Sequence, residues 1–339
     1  MKKFISGVLS AVILTAALAG CAQNTAQTEN TSKENTSNDT IKEDIIKEDK
    51  LKIVTTVFPE YDWVKNILDE KADNAELTLL LDNGSDLHSF QPTAEDILKI
   101  AECDIFIYVG GESDEWVEDA LNNATNEDMR VIDLMEVLGE NAKAEEVKEG
   151  MQPEEEEEEE EANDEHVWLS LKNTKLFCNA IKDALCEADP DNAEAYKNNT
   201  YAYTEQLDTL DADLTELAEN AKNKTLIFGD RFPFRYFVDD YGLDYYAAFA
   251  GCSAETEASV DTIVFLAQKA DELGVKTIYT IDGSDQKVAK AVQSTAKNAD
   301  INIAQLDSMQ SVTGKQAEEG TSYLSIMQKN YEVLSENLS

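Results

Sequence analysis

The sequence predicts an α/β protein of two lobes, each with a mostly parallel sheet, joined by a long rigid helix. Three observations predict it. Short apolar runs rich in Val, Ile and Thr alternate with helix-period segments from residue 51 to 134. One helical pattern, from Pro190 to about Lys222, would be on the order of 50 Å long, more than a single lobe needs. The same strand and helix alternation then restarts and runs to the C-terminus.

The chain opens with "MKK", a positive segment, followed by the short apolar run "FISGVLSAVILTAALAG" and Cys21. This is the layout of a secretory leader, too short and too poorly flanked for an ordinary spanning helix. Residues 1–20 are expected to be the leader. Residues 21–50, rich in Asn, Thr, Ser, Glu and Lys, cannot form a core and read as a flexible tether.

Ordered structure is expected from "LKIVTTVFP", a strand stopping at Pro59. A helix from Tyr61 to about Leu68 places Trp63, Val64, Ile67 and Leu68 on one side. "AELTLLLD" is a strand, "TAEDILKIA" a helix opened by Thr93, "CDIFIYVG" a strand, "DEWVEDALN" a helix and "MRVIDL" a strand. Several of these strands are uninterrupted apolar runs, which argues for a sheet covered on both faces.

Residues 140–165 break this rhythm with charge that culminates in the unbroken run Glu154 to Glu161, expected to be a mobile loop. After "VWLSLKN" a helix should carry Leu176, Phe177, Ala180, Ile181, Ala184 and Leu185 on one face and end at Asp189. The long helix follows, with Leu207, Leu210, Leu214 and Leu217 along its stripe. In the second lobe "KTLIFGD", "LDYYAAF", "VKTIYTIDG" and "INIAQLD" are strands. Helices are expected at about Pro233 to Tyr241, Ser259 to Leu273 and Gln286 to Asn298, with a last one ending at Leu334. The expected organisation is an N-terminal Rossmann-like lobe over 51–172, connecting helices over 173–222 and a C-terminal Rossmann-like lobe over 223–339. No sequence repeat relates the two halves.

Lys plus Arg number 28 against 70 Asp plus Glu, a net charge of -42. Such a chain repels phosphate backbones and anionic membrane surfaces and favours cationic partners, so nucleic acid is excluded as a partner. Cys178 and Cys186 fall roughly 12 Å apart along one helix, too far to bridge. No CxxC site is present. GxSxG, HExxH, GxxxxGK and GxGxxG motifs are likewise absent, which speaks against an enzyme. A nucleophile at Cys252, in "FAGCSAETE", has nothing around it in sequence that requires it.

The chain holds two histidines, and both lie in loops of the kind that line clefts. His88 sits in "GSDLHSFQPTAED", between a strand and a helix, and His166 in "DEHVWLSLKN", directly behind the glutamate run. Neutral imidazole is the commonest protein ligand for zinc-like ions. Carboxylates would have to complete the set, and strand-end loops offer Asp230 in "IFGDRFPFRYF" and Asp282 and Asp285 in "YTIDGSDQK". Two imidazoles and two carboxylates suit Zn2+ or Mn2+, with hard oxygen ligands moving the balance toward Mn2+. An aspartate at a strand end is also an ordinary cap. The glutamate run reads either as a weak cation collector or as a solvated loop.

These residues resemble the zinc/manganese substrate-binding lipoproteins of bacterial ABC importers. "LAGC" is similar to the bacterial lipobox, which implies lipid attachment at Cys21. "VTTVFPEYDWVKNI", "HSFQPTAED", "CDIFIYVGGESDEWVEDAL" and "DEHVWLSLKN" resemble that family's motifs in order and spacing, and the resemblance runs from about Leu51 to the C-terminus. It implies a non-enzymatic capture protein, anchored outside the cytoplasm by its N-terminal lipid. Metal would be bound between two lobes and delivered to a permease and ATPase; a monomer is expected.

The resemblance places His88 and His166 at the first two ligand positions. At the third it places Arg231, which cannot bind a cation, so Asp230 next door is expected to substitute, with Glu255 and Glu257 in reserve. The fourth is Asp285, with Asp282 as the alternative. The expected cargo is Zn2+, with Mn2+ as the alternative. An adhesion or scaffold lipoprotein with a degraded site is the rival reading, and Arg231 favours it; a surface metallohydrolase is a second rival.

Overall fold

The first lobe is built by β1 (Leu51–Thr55), α1 (Phe58–Leu68), β2 (Ala75–Leu79), α2 (Ala94–Glu102), β3 (Ile105–Tyr108), α3 (Trp116–Leu121), β4 (Arg130–Asp133) and α4 (Leu134–Leu138). Two helices follow, α5 (Leu171–Ala188) and α6 (Ala193–Asn220). The second lobe contains β5 (Thr225–Arg231), α7 (Arg235–Tyr241), β6 (Asp244–Phe249), α8 (Val260–Leu273), β7 (Thr277–Ile281), α9 (Lys287–Thr295) and β8 (Asn302–Leu306). The chain closes with α10 (Gly314–Glu318) and α11 (Tyr323–Asn337). This computed structural model describes residues 50–152, 162–253 and 257–338. The leader, Cys21 and the Glu154 to Glu161 run lie outside the described residues. Among the described residues no helix is long and apolar enough to cross a membrane.

Both sheets are four-stranded and parallel, in the orders β2-β1-β3-β4 and β6-β5-β7-β8. The order is the same once the strand numbers are shifted by four, so the two lobes repeat in topology although their sequences do not. In each sheet the chain reverses its winding at the first strand, and the loops at the carboxyl ends of the strands there form the natural ligand crevice.

Pro59 does not end β1 as expected from sequence. It enters the first turn of α1, where its missing N–H costs no intrahelical bond. Thr93 caps α2 reciprocally with Asp96, and Ser170 caps α5 by accepting from Asn173 N at 3.0 Å. On α5 the buried face is Thr174, Phe177, Cys178, Ile181 and Leu185, while Leu176 is exposed. The apolar stripe is thus turned one position from the expected one. α6 has 28 residues and spans about 42 Å. It buries Tyr196, Tyr203, Leu207, Leu210, Leu214 and Ala218, with Leu217 at the edge of the stripe.

The short helices α4 and α10 were not visible as patterns, being too brief to show a period. The C-terminal helix holds a larger surprise: α11 packs against α1 and α6 as well as β8. Tyr323 N donates to the buried Asp62 carboxylate at 2.9 Å, and the Tyr323 ring stands edge-on to Trp63 at 5.5 Å. The last helix therefore belongs as much to the first lobe as to the second.

Candidate metal centre

His166 is fully buried in the loop that leads into α5, preceded by two buried acids, Asp164 and Glu165. Asp164 Oδ1 accepts from His166 N at 2.9 Å and lies 3.1 Å from His166 Nδ1. A carboxylate only accepts, so Nδ1 carries the proton and Nε2 keeps its lone pair. Asp164 is itself located by its carbonyl, which accepts from Tyr236 Oη at 2.9 Å.

His88 lies in a single helical turn, residues 87–89, capped by Asp86 Oδ1, which accepts from His88 N at 3.1 Å. Its Nδ1 is 2.8 Å from Ser113 Oγ and 3.4 Å from Glu165 Oε2. Glu165 Oε1 also accepts from Ser113 N at 2.8 Å. Burial alone would raise the Glu165 pKa, but its contacts with His88 and Ser113 hold the carboxyl below its ordinary value. An ionised Glu165 at that distance favours a proton on His88 Nδ1, so here too Nε2 faces inward with its lone pair.

The two Nε2 atoms meet at 3.3 Å. Two lone pairs this close repel unless a proton or a cation lies between them. Two nitrogens on one tetrahedral zinc, each at about 2.05 Å, stand about 3.3 Å apart. The third member of the group is Cys252, and one ligand atom from each of His88, His166 and Cys252 lies within 4.8 Å of the others. A tetrahedral zinc asks for about 3.6 Å between nitrogen and thiolate sulfur, so the thiol has at most about 1.2 Å to close. Gly251 lets the Cys252 loop come in: a Cβ there would stand 2.9 Å from Phe232 O and 3.2 Å from His166 Cε1.

The acids around the site set the proton affinities of His166 and Cys252. Burial alone would lower the His166 pKa, but the Asp164 carboxylate, with Glu165 and Asp86 beyond it, raises it above the ordinary imidazole value. Burial, reinforced by Glu145, Asp164 and Glu165, pushes the Cys252 thiol far up, so without a metal it stays a thiol. A cleft of about 550 Å³ opens beside His88, lined also by Asp86, Asp230, Arg231 and Asp285.

The carboxylates expected to complete the shell are engaged elsewhere, and the metal-capable group among the described residues includes none of them. Asp230 accepts from Arg231 N at 3.0 Å and from Ile281 N at 3.4 Å. Asp285 is at the exposed start of α9, where it accepts from Lys287 N and pairs with Lys287 Nζ at 2.5 Å. Asp282 receives Ser308 N and Oγ on one oxygen and Ser311 N and Oγ on the other, which makes it a loop clasp. Glu257 is exposed and Glu255 lies outside the described residues. Cys252 was missed as a candidate ligand because a lone cysteine in an apolar stretch reads as packing. Its place in the loop after the second-lobe strand β6 is the signal that could have found it.

The family model for ZnuA, described as zinc-uptake complex component A, periplasmic, matches residues 53–337. Over 293 residues the chain is 31% identical to the zinc-binding protein AdcA of Streptococcus pyogenes serotype M3. That match takes in 84% of this chain but 55% of the relative, so the chain spans about half the length of that protein. The crystal structure of the Zn(II)-bound ZnuA-like domain of Streptococcus pneumoniae AdcA superposes with a TM-score of 0.67 at 27% identity, covering 85% of this chain and 99% of that domain. The metal-dependent lipoprotein YcdH of Bacillus subtilis gives a TM-score of 0.69, also at 27% identity, over 85% and 99% of the two chains.

Proposed function

Because the chain belongs to the ZnuA family of periplasmic zinc-uptake components, we propose that it is the extracytoplasmic capture protein of an ABC importer, taking Zn2+ between its lobes and handing it to a membrane permease. The observation that carries this reading is the 3.3 Å approach of two imidazole Nε2 atoms, each with its other nitrogen beside a carboxylate. His88, His166 and Cys252 are the ligands. The chemistry is ligation alone, as befits a binding component rather than an enzyme. Cys21, outside the described residues, is the lipid attachment in this reading, in keeping with the lipoprotein among the similar structures. The permease and its ATPase are the partners.

Two imidazoles and a thiolate form a softer set than the two imidazoles and two carboxylates expected from sequence. Soft sulfur favours Zn2+ over Mn2+, so zinc is the cargo. Chelator competition with each ion tests this. One tight zinc equivalent with manganese far behind is expected; comparable affinities would remove Cys252 from the shell, and only weak many-site binding would refute capture altogether.

Acid should weaken binding in two stages. The Cys252 thiol, pushed far up, gives up a proton whenever it binds metal at neutral pH. His166, whose pKa is raised above the ordinary value, begins to hold its proton at a pH above that of a free imidazole. The logarithm of the zinc affinity should therefore fall by about one per pH unit on the alkaline side and more steeply below, as imidazole protons join the competition. Zinc titrations at a series of pH values measure the slope, and Cys252→Ser should lower it by about one. A flat profile through neutral pH would contradict a thiol ligand.

Asp164→Ala should weaken zinc binding about 10- to 100-fold by releasing the His166 ring and its tautomer. The same titration reads it, and an unchanged affinity would show that the ring needs no such support.

A further inference from the structure

Arg231 stands where the family resemblance expects a ligand, and its guanidinium makes two contacts across the cleft instead. Nη2 donates to Asp86 Oδ2 at 2.6 Å, and Nη1 donates to Ser253 O at 3.4 Å. Asp86 is the cap of the turn that carries His88, with His88 N on its other oxygen. Ser253 directly follows Cys252. One planar, always charged group with several donors therefore ties the His88 loop at the edge of the first sheet to the Cys252 loop at the edge of the second.

We propose that Arg231 is a positioning residue for metal capture that replaces a protein ligand: through Asp86 and Ser253 it holds His88 and Cys252 at binding distance. This rests on the reading of His88, His166 and Cys252 as the ligands. The same contact keeps Asp86 off the metal, although Asp86 Oδ1 lies only 4.0 Å from His88 Nε2.

The sign of one substitution separates this role from its alternative. A fixed positive charge beside a cation site repels the cation, so if Arg231 were only a remnant of a lost ligand, neutralising it would tighten zinc binding. A positioning role requires the opposite.

The test is zinc affinity, by competition with a chromophoric chelator, for the full chain and for R231Q, R231K, D86N and the D86N/R231Q double variant. R231Q and D86N should each lose about tenfold or more, R231K should recover part of the loss, and the double variant should be no worse than the weaker single one. Melting curves of the metal-free proteins show which variants are folded, and R231K carries the comparison if R231Q is not. Co2+ substitution adds an independent readout, because a thiolate bound to cobalt gives a near-ultraviolet charge-transfer band. Every Arg231 and Asp86 variant keeps all three ligands, so the band should appear in each at saturating cobalt, but only at higher cobalt concentration than in the wild type. Its absence from the wild type would refute the Cys252 ligand, whereas R231Q binding zinc as tightly as the wild type, or losses that simply add in the double variant, would overturn the positioning role.

Discussion

Replacing His166 by alanine should lower zinc affinity by about a hundredfold or more, since altering a partner of a ligand already costs about 10- to 100-fold and this change removes the ligand itself. Only Cys252 and His88 would remain, too few to define a tetrahedral site. The change also strips Asp164 of its imidazole partner and opens a space beside the Trp168 ring, whose centroid is 5.3 Å from that of His166. Metal-free stability should therefore fall as well, and the two effects must be read apart. Chelator competition measures the first and thermal unfolding in excess chelator the second. His88→Ala should lose binding with a smaller loss of stability, because His88 is only partly buried. A folded His166→Ala protein that binds zinc within about threefold of the wild type would remove His166 from the centre.

The largest expected change in stability alone is Trp168→Ala, about 3–5 kcal/mol by denaturant unfolding in the absence of metal. Trp168 is buried in the turn that follows His166. Its Nε1 donates to Ser308 O at 2.9 Å in the loop after β8, and its carbonyl accepts from Tyr323 Oη at 2.6 Å at the start of α11. The side chain thus ties the ligand loop to the loop after β8, while the backbone of the same residue ties it to α11. Alanine leaves a cavity and an orphaned carbonyl at Ser308. Trp168→Phe keeps most of the packing but orphans the same carbonyl, and should lose about 1–3 kcal/mol. An alanine variant within about 1 kcal/mol of the wild type would mean that the surrounding loops collapse onto the space.

Most of the architecture was legible in the sequence because long, periodic segments carry their own evidence. All eight expected strands form, and Thr93 caps α2 where its side chain predicts. The candidate metal centre was legible only where residue type alone is informative. Histidine is rare in this chain and chemically distinctive, so His88 and His166 stood out. An aspartate at a strand end serves equally well as ligand, cap or loop clasp, and which one it becomes depends on what lies opposite. At β5 the pairing register with β6 shifts between Phe228 and Arg231, and such an irregularity re-aims the side chains beside it. Asp230 turns to backbone amides and Arg231 turns across the cleft. No spacing rule could have anticipated that choice, nor the approach of Cys252 that Gly251 permits.

The return of α11 to the first lobe bears on how that lobe is completed. Asp62 and Tyr323 are 261 residues apart in sequence, and their contact closes over Trp63. Without the last helix α1 has one flank uncovered, so the packing of the first lobe is completed by residues from the far end of the chain. The final packing of the first lobe therefore depends on the C-terminal end of the chain, and removing α11 should loosen α1 as well as β8.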